Sequence, residues 1–515
     1  MTETKEVFDL LIVGAGWHGL AMAKTYLEVV TNANIVILYS AESVGGTWAS
    51  ERLYPGLMTN NTAGSYEFSD FPMGPDTYGL VQGRHIPGEV VHRYLRDFAD
   101  HYGLTTRIRF GTRVDTATLL NDGTWRVGYY TIENAAEDKS RSRRTGQLLA
   151  AKLVMAAGLT SEPFIPTFPG QDSFRGRIFH PKHLKARASE LTNSRSVVMV
   201  GGNKSAWDVC YTAARTSGAQ VHMVMRPSGG GPSWVWRPIS ILGGLFTTTL
   251  SRLSMRRVAT WFDPTPLGNN TRTHSARRFL HHNTLSRWLC AWFWHALDQH
   301  VCKENGYNGE NEHVTMLRPW TSTFWMGNSL SVHNYETDWF GLVRTGRVVP
   351  HFADVEALSE TRVRLSDRSV LEADTIFMCM GWKATPTVAF SPDWIEAALR
   401  LQSWTIGSQV QKPPPPDDSP LVAELDSDDL QLDLDIIRAQ ILEQCPVLKA
   451  KPVRTLPTQT PAGKNENQTT VSKEPEPTAP IRLYRFMVPA SSRLLERRNH
   501  AFIGAHVSIH AVMLA

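Results

Sequence analysis

The feature that most restricts this chain is a glycine turn, Gly14-Ala15-Gly16-Trp17-His18-Gly19, set directly after an apolar run at residues 7–13. A near-continuous apolar run is what a parallel strand covered on both faces requires. Residues 20–30 have helical character and residues 35–38 read as the next strand, which completes a right-handed βαβ unit. In such a unit Gly14 permits the tight turn, Gly16 lets a pyrophosphate approach the backbone, and Gly19 lets helix and strand pack closely. The start of the helix offers unpaired N–H groups and a partial positive charge to the phosphates. The glycine spacing alone would be a weak signal, but its strand–helix–strand setting specifies dinucleotide binding.

The pattern recurs. Residues 197–200 read as a strand, Gly201-Gly202-Asn203-Lys204-Ser205-Ala206 as a turn, 207–215 as a helix and 221–225 as the next strand. Asn203 stands where the second glycine is expected, and asparagine tolerates positive φ better than most residues. Arg226, just past the second strand, is where the 2′-phosphate of an adenosine ribose would sit, with Lys204 in support; a solvated strand-end arginine is the alternative. In the first unit the acid expected to bind ribose hydroxyls is absent. Tyr39 and Ser40 occupy its place and Glu42 is the first carboxylate, so either Glu42 bends back or a tyrosine contact and water replace the acid.

At 515 residues the chain is too long for one core, and about two or three domains are expected. A formal net charge of +4 without a block of one sign gives no electrostatic case for a nucleic-acid partner. The five cysteines (Cys210, Cys290, Cys302, Cys379, Cys445) form no close pair or metal-like cluster and read as free thiols in a reducing compartment. The charged N-terminus runs straight into the first strand, which argues against a signal peptide and for a cytoplasmic protein. Residues 239–250 fall short of the roughly 18 apolar residues of a membrane span. A buried helix is the preferred reading there, although Arg252, Arg256 and Arg257 would also suit a membrane surface.

Residues 113–120 and 125–131 flank Asn121-Asp122-Gly123-Thr124, a hairpin signal. Residues 153–157 and 501–503 read as core strands, 230–330 as mostly helical, and 356–365 and 369–378 as strands returning to the first domain. Residues 413–416 read as a linker and 455–480 as a disordered loop, too polar to offset chain entropy. The expected architecture is therefore α/β, with two Rossmann-like dinucleotide-binding domains, the second inserted into the first. The first domain occupies 1–185, the second 186–350, and 351–515 returns to the first.

Between the two turns lies Phe174-Arg175-Gly176-Arg177-Ile178-Phe179-His180. Taken alone, His180 would more often be a satisfied structural histidine than a catalytic one. Its placement, with Gly45-Gly46-Thr47-Trp48, Leu53-Tyr54-Pro55-Gly56, Asp70-Phe71-Pro72-Met73 and Gly83-Arg84-His85-Ile86-Pro87-Gly88, resembles the flavin-dependent class B monooxygenases, and their fungal secondary-metabolism subgroup in particular. The resemblance covers most of the chain. It implies FAD at the first turn, contacted by Gly46, Thr47 and Trp48, and NADPH at the second. It makes Asn60 the residue that helps hold the flavin peroxide and nicotinamide, and His180 the fingerprint histidine. It implies that NADPH reduces FAD and that one oxygen atom of O₂ passes, by way of a C4a-(hydro)peroxide, to a small organic substrate.

Departures are visible. Leu184 replaces the aromatic residue that ends the fingerprint, and threonine is missing from both linking segments, Ala156-Ala157-Gly158 and Cys379-Met380-Gly381. The chain ends at Ala515, where similar proteins begin a helix facing the flavin ring, so a non-catalytic nucleotide-binding remnant is the alternative expectation. Pyridine nucleotide–disulfide reductases share the double-nucleotide architecture, but they require a redox-active cysteine pair that the spacing here does not provide.

Overall fold

A computed structural model describes residues 7–132, 144–158, 160–237, 239–241, 246–248, 259–262, 279–281, 283–325, 331–383 and 388–392. Beyond these it describes only 439, 442–443, 449, 453–456, 483–484, 488–489 and 500–502. The linker at 413–416, residues 457–480, Ile503, Cys445 and the segment beyond residue 502 lie outside the described residues.

The first glycine turn sits in a five-stranded parallel sheet. Its order is His500–Phe502, Leu153–Met155, Leu10–Val13, Ile35–Leu38, Ile108–Arg109. Strand residues alternate between two cores, as the period of two demands. Leu10 and Ile12 pack with Tyr94, Leu95 and Phe98 from the helix Gly88–His101, whose buried positions recur at helical spacing. Leu11 and Val13 face the other way, toward Val114, Ala117, Trp125 and Val127. These last belong to a second sheet, ordered Val7–Phe8, Thr145–Ala150, Trp125–Thr131, Thr112–Leu119, Ala389–Ser391. Its central hairpin closes where the sequence signal lay, with Gly123 at φ 87° and the Leu120 N–H donating to the Thr124 carbonyl at 2.9 Å.

The run at 7–13 is therefore not one strand. Asp9 interrupts it: its N–H donates to the Asn34 carbonyl at 2.8 Å and its carboxylate accepts the Asn34 N–H at 2.7 Å. The chain thereby steps from one sheet into the other.

The second turn belongs to another parallel sheet, ordered Arg177–Phe179, Thr375–Met378, Ser196–Val200, Gln220–Met225, Val348–Phe352. Two strands lie on the far side of the boundaries expected from sequence. Arg177–Phe179 precedes 186, and Thr375–Met378 follows 350, yet both pair within this sheet. Nor do the strands at 356–372 return to the first domain. Val355–Ser359, Arg362–Leu365 and Val370–Glu372 form an antiparallel layer, and Leu358, Val363, Leu365 and Leu371 cover Val198, Val200 and Ile376 of the second sheet. The described residues of 239–250 are strands where a helix was expected: Ile239–Ile241 pairs antiparallel with Phe246–Thr248, in keeping with the strand preference of their β-branched and aromatic residues. The expectation of helix in 230–330 holds for Thr284–Asn305 and Glu312–Met316.

The other face of the second sheet is anchored by tryptophan. Trp207, on the helix Lys204–Thr216, stacks on Trp339 with ring centroids 4.0 Å apart, and both are fully buried. The Trp339 indole N–H donates to the Trp207 carbonyl, and that of Trp207 donates to the Gly202 carbonyl, each at 3.1 Å. The pair thus fastens the second glycine turn to the core. Trp339→Ala should cost about 3–5 kcal/mol, measured as a lowered midpoint in chemical denaturation.

Candidate active site

At the first turn, Gly14 adopts φ 115°, and a side chain there would run into the Ala156 carbonyl. The helix Trp17–Val29 starts at Gly16 with no acid in its first turn, so nothing competes with an anion for its N–H groups. A Cβ on Gly16 would lie 3.4 Å from the Cα of Gly46, and the Gly45 N–H donates to the Ala15 carbonyl at 2.9 Å. The fold thus brings two separate sequence motifs, 14–19 and 45–48, into backbone contact, leaving a cradle without side chains. Tyr39, in the place of the missing acid, supports this cradle from below, since its hydroxyl accepts the Gly46 N–H at 2.9 Å. Burial pushes this phenol up to about 12, so it stays neutral. Glu42 is exposed, and its N–H donates to Oε1 of Glu51 at 3.2 Å. Thr47 Oγ1 lies 3.1 Å from Thr160 Oγ1, and the Trp48 indole donates to the Tyr66 hydroxyl at 3.0 Å.

The second turn repeats the arrangement with changes. Gly201 has φ 145°, with the Cys379 carbonyl 2.5 Å from where a Cβ would lie, and the helix again has no acid in its first turn. Asn203 caps this helix in extended backbone at φ −79°, so the left-handed conformation expected for it is not used; its side chain and that of Ser205 are exposed. Lys204 turns back along the helix. Its Nζ bonds Asp208 and donates to the Tyr335 hydroxyl at 3.1 Å, 4.4 Å above that ring. That direction does not bring it to Arg226, which stands half-buried at the end of Gln220–Met225 and has no ion pair among the described residues.

His180 lies in the hinge between the sheets. Pro163 bridges Trp382, the Phe164 N–H donates to the Gly381 carbonyl at 3.1 Å, and the Lys383 N–H to the Glu162 carbonyl at 2.8 Å. His180, 2% exposed, accepts the Lys182 N–H at Nδ1 (3.2 Å) and so carries its proton on Nε2, which donates to the Gly381 carbonyl at 3.0 Å. Both ring nitrogens are therefore occupied by backbone partners. The ring of His180, expected to be catalytic, is thus held between the Lys182 N–H and the Gly381 carbonyl. Its ring meets Trp382 edge-on at 4.6 Å, and Arg52 lies over the same indole at 5.3 Å. The units also meet where the Tyr54 hydroxyl donates to Oδ2 of Asp208 at 3.0 Å. Sequence reasoning missed Trp382, Arg52 and Asp208, and only the family-like segments containing Tyr54 and Gly381 hinted at these contacts. Asn60 is exposed on the strand Met58–Thr62.

Cys210, Cys290, Cys302 and Cys379 are free and buried, and burial raises each thiol, that of Cys290 to about 11. They are poor nucleophiles. Among the described residues no helix is long and apolar enough to cross a membrane.

Burial holds His180 down to about 4; His333, beside Arg237, and His351, beside His222, are held as low. The unfolded chain, with histidines near 6.5, therefore binds more protons between those values, so stability is present above pH 6.5 and falls as pH drops toward 4. Urea midpoints measured across that window should fall accordingly, and His180→Gln, which keeps a donor and cannot titrate, should flatten part of the slope.

A family profile described as flavin-binding monooxygenase-like matches residues 8–286. An FAD-dependent monooxygenase of Pyrenophora dematioidea is 30% identical over 97% of this chain and 84% of its own length. One from Aspergillus nomiae is 30% identical over 97% and 80%. Among solved structures, polycyclic ketone monooxygenase of Thermothelomyces thermophila superposes with a TM-score of 0.54 at 17% identity, over 74% of this chain and 64% of that one. A steroid monooxygenase bound to NADP gives 0.51 at 18% identity, over 75% and 74%. These structures share its fold of two dinucleotide-binding domains. With the profile covering more than half of the chain and relatives matching nearly all of it, the chain belongs to the flavin-binding monooxygenase-like family and is an oxidoreductase of that class.

Proposed function

We propose that the protein is an NADPH-consuming, FAD-dependent monooxygenase that places one oxygen atom of O₂ on a small organic substrate, in secondary metabolism. The observation that carries this is the side-chain-free cradle at Gly16 and Gly46, set beneath a helix start with no acid in its first turn. Nothing there obstructs a pyrophosphate, so the residues fit FAD. Gly14, Gly16, Gly19, Gly46, Thr47 and Trp48 would hold it, with Glu42 near enough in sequence to reach its ribose. Gly201, Asn203 and Ser205 would hold the NADPH pyrophosphate, and Arg226 its 2′-phosphate. Lys204, already paired with Asp208, would order the helix start instead of contacting the phosphate.

Bound FAD supplies O₂ activation, with the balance NADPH + H⁺ + O₂ + substrate giving NADP⁺, oxygenated substrate and water. The protein's own work is positional. Asn60 offers an uncharged donor and acceptor at an exposed position, where it would orient the nicotinamide and keep water from the reacting atoms. His180 holds the hinge carbonyl of Gly381 and fixes the relation of the two turns. Domain limits follow the sheets: the first nucleotide domain would end before Arg177 and resume after Met378.

Purified protein should be yellow, and NADPH under anaerobic conditions should bleach the visible flavin band. Colourless protein that takes up no FAD would sink the proposal in favour of a nucleotide-binding remnant. Gly16→Val, which fills the cradle, should weaken FAD retention about tenfold or more, roughly 1.4 kcal/mol. Arg226→Ala should raise KM for NADPH about tenfold to a hundredfold, the loss of a charge-assisted bond. KM for NADH should stay unchanged.

A further inference from the structure

The strand that carries Asn60 is poorly held by its own sheet. Met58–Thr62 pairs with His85–Pro87 only at Met58–Pro87 and Thr62–His85, and the register shifts between them. Residues 59–61 therefore lack a regular ladder. Thr59 fills part of the gap: its buried hydroxyl donates to the Asn61 carbonyl at 2.5 Å and accepts the Ile86 N–H at 3.0 Å. Two carbonyls of this strand are met from the other nucleotide unit. Asn334, 8% exposed, donates through Nδ2 to the Met58 carbonyl at 3.1 Å and to the Thr59 carbonyl at 3.2 Å.

A primary amide suits this place because it has two N–H donors on one nitrogen, and both partners only accept. An aspartate of the same shape would set its lone pairs against two carbonyls. Asn334 is itself fixed. The hydroxyl of its neighbour Tyr335 donates to Oδ1 of Asp208 at 2.8 Å, while Oδ2 of Asp208 receives the Tyr54 hydroxyl at 3.0 Å. Farther along, the helix Trp339–Arg344 begins with the tryptophan stacked on Trp207. The segment that presents Asn334 is thus tied to the second glycine-turn helix.

We propose that Asn334 is a positioning residue for Asn60: from the second nucleotide unit it clamps the two carbonyls immediately before Asn60 and so sets where that side chain stands. The proposal rests on the role given to Asn60 above. Its consequence is coupling, since the placement of a residue beside one cofactor depends on the unit that binds the other.

The test uses the full-length protein with FAD and compares Asn60→Ala, Asn334→Ala and the double variant. Two quantities are read. One is amide hydrogen exchange at residues 58–62. The other is substrate-free consumption of NADPH and O₂ to NADP⁺ and H₂O₂, which reports loss of water exclusion. Asn334→Ala should speed both about tenfold, with FAD content retained. The double variant should release peroxide no faster than Asn60→Ala alone, because both lesions act on one element. If Asn334→Ala does not fold, Asn334→Gln takes its place with the same expected readings, since it keeps the donor but displaces it by a methylene.

Unchanged exchange, or faster exchange without faster peroxide release, overturns the proposal. So does a double variant whose effects multiply, the signature of a general loss of structure. If Asn60→Ala itself leaves peroxide release unchanged, the role of Asn60 fails, and the clamp loses its purpose even where exchange still reports it.

Discussion

The carbonyl oxygen of Gly381 accepts from Nε2 of His180 and from the N–H of Phe164, and these two bonds tie together the segments by which the chain passes from one nucleotide-binding sheet to the other. The chain crosses between the sheets near 156–164 and again near 379–383, leaving both ladders as it does so. Backbone groups in such segments must find partners or be buried at a cost. Here the two crossings pair with each other, and a neutral imidazole completes the arrangement with one donor and one acceptor in a fixed plane. A protonated ring would set a second donor against the Lys182 N–H, which fits the burial that holds His180 down to about 4.

Several further contacts between the units are polar and directional. Tyr54 meets Asp208, Lys185 meets the Ser50 carbonyl, and Lys182 meets the Ser161 carbonyl. Each is worth little net stability, because water would serve the same groups in the unfolded chain. Their effect is on orientation, between two sheets that each have their own apolar core. Both cofactor helices begin without acids, so the electrostatic preference for phosphate is built into the backbone and is not cancelled by side chains.

Local features of the site were legible in the sequence. The glycine turns, the hairpin at Gly123 and the strands beside them are set by neighbouring residues and appear where their spacing puts them. The contact of Gly46 with Gly16 was foreshadowed by a family-like motif, but its geometry comes from the tertiary approach of two loops. Tyr39 looked like a defect in the nucleotide pattern, and only its bond to Gly46 explains it. Trp382, Arg52 and Asp208 gave no signal, because a lone tryptophan, arginine or aspartate acquires meaning only from a partner far away in the chain.

The sequence alone determined that the chain contains two βαβ nucleotide units, since apolar strand, glycine spacing and helix lie within about thirty residues and need no distant information. It could not say which strands share a sheet. Arg177–Phe179 and Thr375–Met378 join the second unit through hydrogen bonds across nearly two hundred residues. Nor could it aim Lys204 at Asp208 or occupy both nitrogens of His180. Those outcomes were decided by the tertiary structure, because satisfying a buried polar group is a property of the packed surroundings and not of the residues beside it.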